Sequence, residues 1–204
     1  MNKSELLVSL QTETSGFKHT QAIGDQLTTE LGDKDALEFA KELFELDLYQ
    51  ARMCAVHIWG KLAAKHKHAY DLLVAKVVLD KNWRVQEMLA KAFDQYCVDR
   101  GYEESLTAIR DWLSAPEANQ RRAASEGPRI WTSRPYFKNH PELAIELLAA
   151  LRADPSEYVR KSVGNALRDI SKRFPELIRS ELQKWDTTDT PTLQTCKLAA
   201  RFLA

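Results

Sequence analysis

Cysteine is scarce in this chain. There are three, Cys54, Cys97 and Cys196, an odd number spread far apart with no CxxC pair. That argues against a disulfide framework or a cysteine-based zinc site, and their apolar surroundings suit reduced core residues of a cytoplasmic protein. Long apolar runs are missing too. The opening MNKSELLVSLQTETSGF has no signal-peptide core, and no stretch reaches the roughly 18 apolar residues of a membrane span. No glycine-rich phosphate loop or nucleophile elbow is present. His66 and His68 stand two apart on a helix and point in different directions. No acid or cysteine completes a set around them, so neither a metal nor a cofactor is expected.

Net charge is zero over 204 residues, but it is unevenly spread. Residues 119–204 hold fifteen basic and ten acidic side chains, and residues 1–118 hold fourteen and nineteen. A basic C-terminal half on a neutral chain suits local anion binding rather than a general DNA coat. The length is enough to bury roughly 70% of the unfolded surface, so one domain spanning 1–204 needs no staple.

Strand-like alternation is rare, whereas apolar residues recur at helical spacing, as in Ala36, Phe39, Ala40, Leu43 and Leu46. Proline positions 141, 155, 175 and 191 mark helix starts, and Asp33 and Asp80 are candidate caps. Helices are predicted near 18–31, 34–46, 49–65, 69–79, 82–98, 102–113, 117–127, 141–151, 156–173, 175–185 and 191–203. Within them one pattern recurs: YQARMCAVHIW (49–59), WRVQEMLAKAF (83–93), NQRRAASEG (119–127) and EYVRKSVGNAL (157–167). With Ala51, Val85, Arg121 and Val159 aligned, the intervals are 34, 36 and 38 residues. Periods of roughly this length indicate an all-α superhelix of stacked helix pairs with a concave groove. The segment PRIWTSRPYFKNH (128–140) interrupts the pattern. It reads as a long aromatic and basic loop, suited either to nucleic-acid contact or to plugging a gap between repeats.

NQRRAASEGPR (119–129) followed by EYVRKSVGNALRDISKRFPEL (157–177) resembles the AlkC/AlkD-type DNA alkylation repair family, DNA glycosylases built from HEAT-like repeats. The likeness reads as nearer to the AlkC branch, whose members carry RR-x-x-SEG-x-R and then a VR-[KR]-S-V-x-N-x-L-x-D-I-x-K-x-x-P run. It implies a monomer that binds double-stranded DNA and excises positively charged bases alkylated at N3 or N7. A cationic base is already a good leaving group, so the protein must mainly stabilise the cationic sugar and position water, which is work for carboxylates.

Three acids are candidates: Glu126 in SEGPR, Asp169 in RDISK, and Glu87 one turn after Trp83. Each also has a possible ion-pair partner on its own helix or beside it, Arg122 or Arg129 for Glu126, Arg173 for Asp169 and Lys91 for Glu87. Trp83 and Trp131 are candidate lesion contacts. Arg84, Arg121, Arg122, Arg129, Arg160, Lys161 and Arg168 are candidate phosphate contacts. Two other uses of such a stack remain open: a non-catalytic module holding damaged or branched DNA, and a protein–protein scaffold.

Overall fold

A computed structural model describes residues 3–12, 17–127 and 131–203. Among them are twelve α-helices, three short 3-10 turns and no strand. None of these helices is long and apolar enough to cross a membrane. The chain divides into two compact units, Met1–Arg100 and Gly101–Ala204.

In the N-terminal unit, α1 (Lys3–Thr12) and α2 (Phe17–Phe44) precede the central helix α3 (Tyr49–Leu62), with α4 (Lys67–Ala75) and α5 (Trp83–Arg100) after it. The predicted break between 31 and 34 falls at Gly32, whose φ of 74° leaves the helical region and splits α2. The helix α1 was not predicted, although its buried Leu6 and Leu10 stand at helical spacing. α3 is buried nearly all round and packs on α1, α2, α4 and α5. Its crossing with α5 is close because Gly60 has no side chain. A Cβ there would come within 2.6 Å of the Ala92 Cβ.

The C-terminal unit runs α6 (Leu106–Leu113), α7 (Ala118–Glu126), α8 (Pro135–Asn139), α9 (Pro141–Ala149), α10 (Glu157–Ser171), α11 (Pro175–Leu182) and α12 (Thr190–Ala199). Prolines open α8, α9, α11 and α12 within their first two positions, where a missing N–H removes no hydrogen bond. Here α10 is central, packing on α7, α9, α11 and α12. Gly164 plays the part of Gly60, since a Cβ would meet the Leu198 Cβ at 2.6 Å.

A repeated rung ties each unit together. Arg52 in α3 donates through Nη1 to the carbonyls of Leu46 and Asp47, and through Nε to the Asp80 carboxylate at 2.7 Å. Arg121 in α7 does the same to Ala115, Pro116 and Asp154, with Nε at 2.6 Å from the carboxylate. Arg160 in α10 binds the carbonyls of Asp154 and Pro155 and reaches the Gln194 amide oxygen at 2.7 Å. At the matching place in α5, the Gln86 side-chain amide donates to the carbonyls of Val77 and Asp80.

Two expected features change. Asp80 is not the cap of α5. Its carboxylate receives Arg52 and the Asn82 N–H, and the Asn82 side chain accepts the Arg84 N–H at 2.9 Å. The segment near 128–140 is not an open loop over its described part. A 3-10 turn at Trp131–Ser133 leads into α8, and Trp131 and Phe137 are fully buried with ring centroids 4.7 Å apart. Pro128, Arg129 and Ile130 lie outside the described residues.

Candidate nucleic-acid interface

Tyr158, Ser162, Asn165 and Asp169 recur every three or four residues along α10 and so share one face. The end of α7 meets this stripe. The Arg122 guanidinium lies 4.4 Å from the Tyr158 ring centroid, and Arg122 is 4% exposed. One turn on, the Ser125 hydroxyl is 2.9 Å from that of Ser162, and Ser162 donates to a Glu126 carboxylate oxygen at 2.8 Å. Farther along, Arg168 donates to Asn165 Oδ1 at 2.9 Å and lies 3.4 Å from the Asp169 carboxylate. Lys172 reaches the same Asp169 oxygen at 2.9 Å. Two of the predicted acids, Glu126 and Asp169, are therefore brought to one face of α10. Asp169 also lines a cavity of about 370 Å³ with Thr132, Ser133, Arg168, Lys172 and Arg173.

The third acid, Glu87, belongs to the N-terminal unit. It is half-buried on α5, one turn from Trp83, and that spacing places ring and carboxylate on one face. Trp83 is 54% exposed, unusual for so large an apolar ring. The Arg84 guanidinium sits 4.4 Å from its ring centroid and 5.3 Å from that of Tyr49. The described part of this site is thus an exposed indole with a cation against it and a carboxylate one turn away.

Other predicted residues serve different ends. Trp131 is buried completely, tilted against Phe137 in an aromatic core, and its indole N–H donates to the Ser125 carbonyl at 3.3 Å. A ring so enclosed has no face for a base, so Trp131 is corrected from lesion contact to core. Arg121 and Arg160 are rungs, and Asp154 holds the Arg121 guanidinium above its ordinary pKa through a direct ion pair. Arg122 lies beneath Tyr158. These three guanidiniums are therefore reassigned to packing. Lys161 is exposed but pairs with Glu157 one turn back, at 2.7 Å. Arg84 and Arg168 are half-buried at the sites just described. Arg129 falls outside the described residues.

Sequence reasoning passed over Tyr158, Ser162 and Asn165. Reading α10 at helical spacing from Asp169 would have found them. It also passed over Lys172 at the cavity, which with Arg168 pairs with Asp169 where Arg173 was the expected partner.

The helical-repeat fold matches what the comparisons show. The chain belongs to the DNA alkylation repair enzyme family, whose family model matches residues 17–199. Its structure is similar to that of AlkD2 from Streptococcus mutans, with a TM-score of 0.94 and 43% identity over 98% of this chain and 96% of that one. It is also similar to smu.31 from Streptococcus mutans UA159, with a TM-score of 0.81 and 41% identity over 93% of this chain and 100% of that one. The alkylpurine DNA glycosylase AlkC of Pseudomonas fluorescens, solved bound to DNA containing an abasic site analog, shares the fold at a TM-score of 0.55. Its identity is 24%, over 92% of this chain and 63% of that one. The uncharacterized protein YhaZ of Bacillus subtilis (strain 168) is 39% identical over 105 residues, half of this chain and 29% of that protein's length. The expected leaning toward AlkC is corrected, because the likeness to AlkD2 is greater in both identity and shape.

Proposed function

We propose that this protein is a monofunctional DNA glycosylase that releases cationic N3- or N7-alkylated bases, acting as a cytoplasmic monomer on double-stranded DNA without a cofactor. The observation that carries the reading is that one face of α10 bears Asp169 and, two turns before it, the Ser162 that holds the Glu126 carboxylate, in a family defined by alkylation repair. Carboxylates at a phosphate-binding surface weaken DNA binding unless something positive is to be stabilised there. A sugar becoming cationic as a cationic base departs is such a thing. Ser162 orients Glu126, and Lys172 and Arg168 hold Asp169. In the N-terminal unit, Trp83 offers a π-face to the damaged base and Glu87 a negative charge beside it. Arg84, Lys161 and Arg168 remain as phosphate contacts.

A second reading has its own support. Arg121, Arg122 and Arg160 are built into packing, which leaves fewer cations for phosphates than the sequence promises. That favours weak binding to DNA, and with it a module that holds damaged or branched DNA without excising a base. Base release decides between the two. Wild-type protein is incubated with duplexes carrying defined N3-methyl, N7-methyl and bulky adducts, and free base is quantified by chromatography. The glycosylase reading expects release, and expects Glu126→Gln to slow it by about 10²–10³-fold with DNA binding retained. If wild type releases no base while binding DNA, the second reading stands. If Glu126→Gln releases base at the wild-type rate, Glu126 has no part in the chemistry.

A further inference from the structure

We infer that the cavity beside Asp169, together with the ring of Phe202, receives a single unpaired deoxynucleotide of a DNA strand. The inference deepens the reading above, and it rests on DNA binding rather than on base release.

The charge of this cavity sets it apart. A cavity of about 470 Å³ between α9 and α11 carries Glu142, Glu146 and Glu181 against Arg152 and Lys184, and would repel a phosphate. The cavity at the end of α10 carries Arg168, Lys172 and Arg173 against Asp169 alone. Its volume of about 370 Å³ falls within the range of small-molecule sites, roughly 300–1,000 Å³. Its cations are positioned by bonds rather than left free. Arg173 donates through Nη1 to the Thr132 carbonyl at 3.3 Å, Arg168 to Asn165, and Lys172 to Asp169.

Phe202 supplies the second element. It closes the 3-10 turn Ala200–Phe202 and is 51% exposed, so burial does not explain it. Its ring centroid lies 5.0 Å from the Lys172 ammonium and 5.6 Å from the Arg168 guanidinium, so two of the cations lining the cavity also flank the ring. Proteins that hold single strands combine these parts: cations for the backbone and an aromatic face on which a base stacks. A base within a duplex is covered by its neighbours and offers no such face, so the ring selects an unpaired nucleotide. Asp169, at the same cavity, supplies a carboxylate that accepts a hydrogen bond from the amino or ring N–H group of an entering base.

The test uses the full chain and fluorescence anisotropy with two labelled duplexes of one sequence, one fully paired and one with a single bulged nucleotide. Wild type is expected to bind the bulged duplex about tenfold more tightly, a preference of the size that stacking one base supplies. Phe202→Ala removes that preference while changing affinity for the paired duplex less than twofold, and Phe202→Trp restores it. Lys172→Ala/Arg173→Ala weakens binding to both duplexes and lowers the salt slope by about two. Circular dichroism confirms that each variant is folded. Equal affinity of wild type for the two duplexes, or an equal loss on both with Phe202→Ala, overturns the inference. Displacement of the bulged duplex by dAMP at a lower concentration than by unlabelled bulged DNA overturns the assignment to a strand and makes free nucleotide the ligand. If wild type releases no alkylated base yet prefers the bulge through Phe202, only the glycosylase reading falls.

Discussion

Each unit contains two rungs, and they differ in charge. In the N-terminal unit Arg52 reaches a carboxylate, that of Asp80, but the rung of α5 is Gln86, an amide bonded only to backbone carbonyls. In the C-terminal unit both rungs are arginine, Arg121 to Asp154 and Arg160 to Gln194. Geometry is kept while charge is not. An arginine at this position therefore reports on the joining of successive helices and says nothing about DNA. The basic excess of the C-terminal half includes these two buried or half-buried guanidiniums, which the N-terminal half partly replaces with an amide. The functional difference proposed between the units lies elsewhere, in the exposed Trp83 of one and the α10 face carrying Asp169 and meeting Glu126 in the other.

The sharpest way to break this comparison is to remove the rungs one at a time. Asp154 has a side-chain exposure of 2% and Arg121 of 11%, so Arg121→Ala leaves a carboxylate buried without its guanidinium. A loss of about 3–5 kcal/mol is expected in urea unfolding. Gln86→Ala, at the same place in α5, removes neutral hydrogen bonds and is expected to cost about 1–3 kcal/mol. Equal losses would mean that charge adds nothing to the rung.

That contrast also explains what could be read in the sequence. The helix boundaries were legible because glycine and proline act locally: Gly32 breaks α2, and Pro141, Pro175 and Pro191 open their helices. The rungs were not legible, because an arginine on a helix reads as surface charge until its partner some thirty residues later is known. Alignment of Ala51, Val85, Arg121 and Val159 slipped by one residue in α7, where the bonds instead align Arg52, Gln86, Arg121 and Arg160. Polar residues can fill an inward position when carbonyls await them, and hydrophobic patterning cannot register that. Of the candidate site, Glu126 and Asp169 were singled out by motif, but the bond that brings Glu126 to the face of α10 comes from Ser162, across two helices, and no motif registers it.

The two tryptophans extend the comparison to aromatic rings. Trp131→Ala empties a fully enclosed position and is expected to destabilise by about 3–5 kcal/mol. Trp83→Ala removes a half-exposed ring and should change stability by under about 1 kcal/mol, yet weaken binding to alkylated duplex several-fold. Unfolding curves and anisotropy on the same samples separate the two. A Trp83→Ala protein that binds as well as wild type would remove Trp83 from the interface.

The close helix crossings should behave alike in both units. Gly60→Ala brings a methyl against the Cβ and Cα of Ala92, and Gly164→Ala against Leu198 and the Thr195 carbonyl. Each is expected to lose about 1–3 kcal/mol by overpacking. Gly60→Ala should be the worse, because it strikes the Ala92 Cα at 2.7 Å, and backbone yields less readily than the leucine side chain at Gly164.

The smallest effect concerns acid. Four of the five histidines lie in the N-terminal unit, and the fifth, His140, is exposed in the other. His57 packs where Gly24 leaves room on α2, with Asp25 Oδ1 2.9 Å from its Nε2. Burial pushes its pKa below the ordinary 6.5, helped by Lys61 and Lys91, and outweighs the pull of the Asp25 carboxylate in the other direction. The folded state therefore holds His57 neutral at a pH where the unfolded chain has begun to protonate it. The resulting stability is complete above about pH 6.5 and is lost as pH falls through the lowered folded value. Asp25 itself is held below 3.8 and does not titrate in that window. Amide exchange at pH 7 and 5.5, corrected for its intrinsic pH dependence, should show protection falling in α2 and α3 while α7 and α10 keep theirs. His57→Gln should abolish the difference. Equal loss in both units, or an unchanged difference in the variant, would show that the acid sensitivity does not come from this ring.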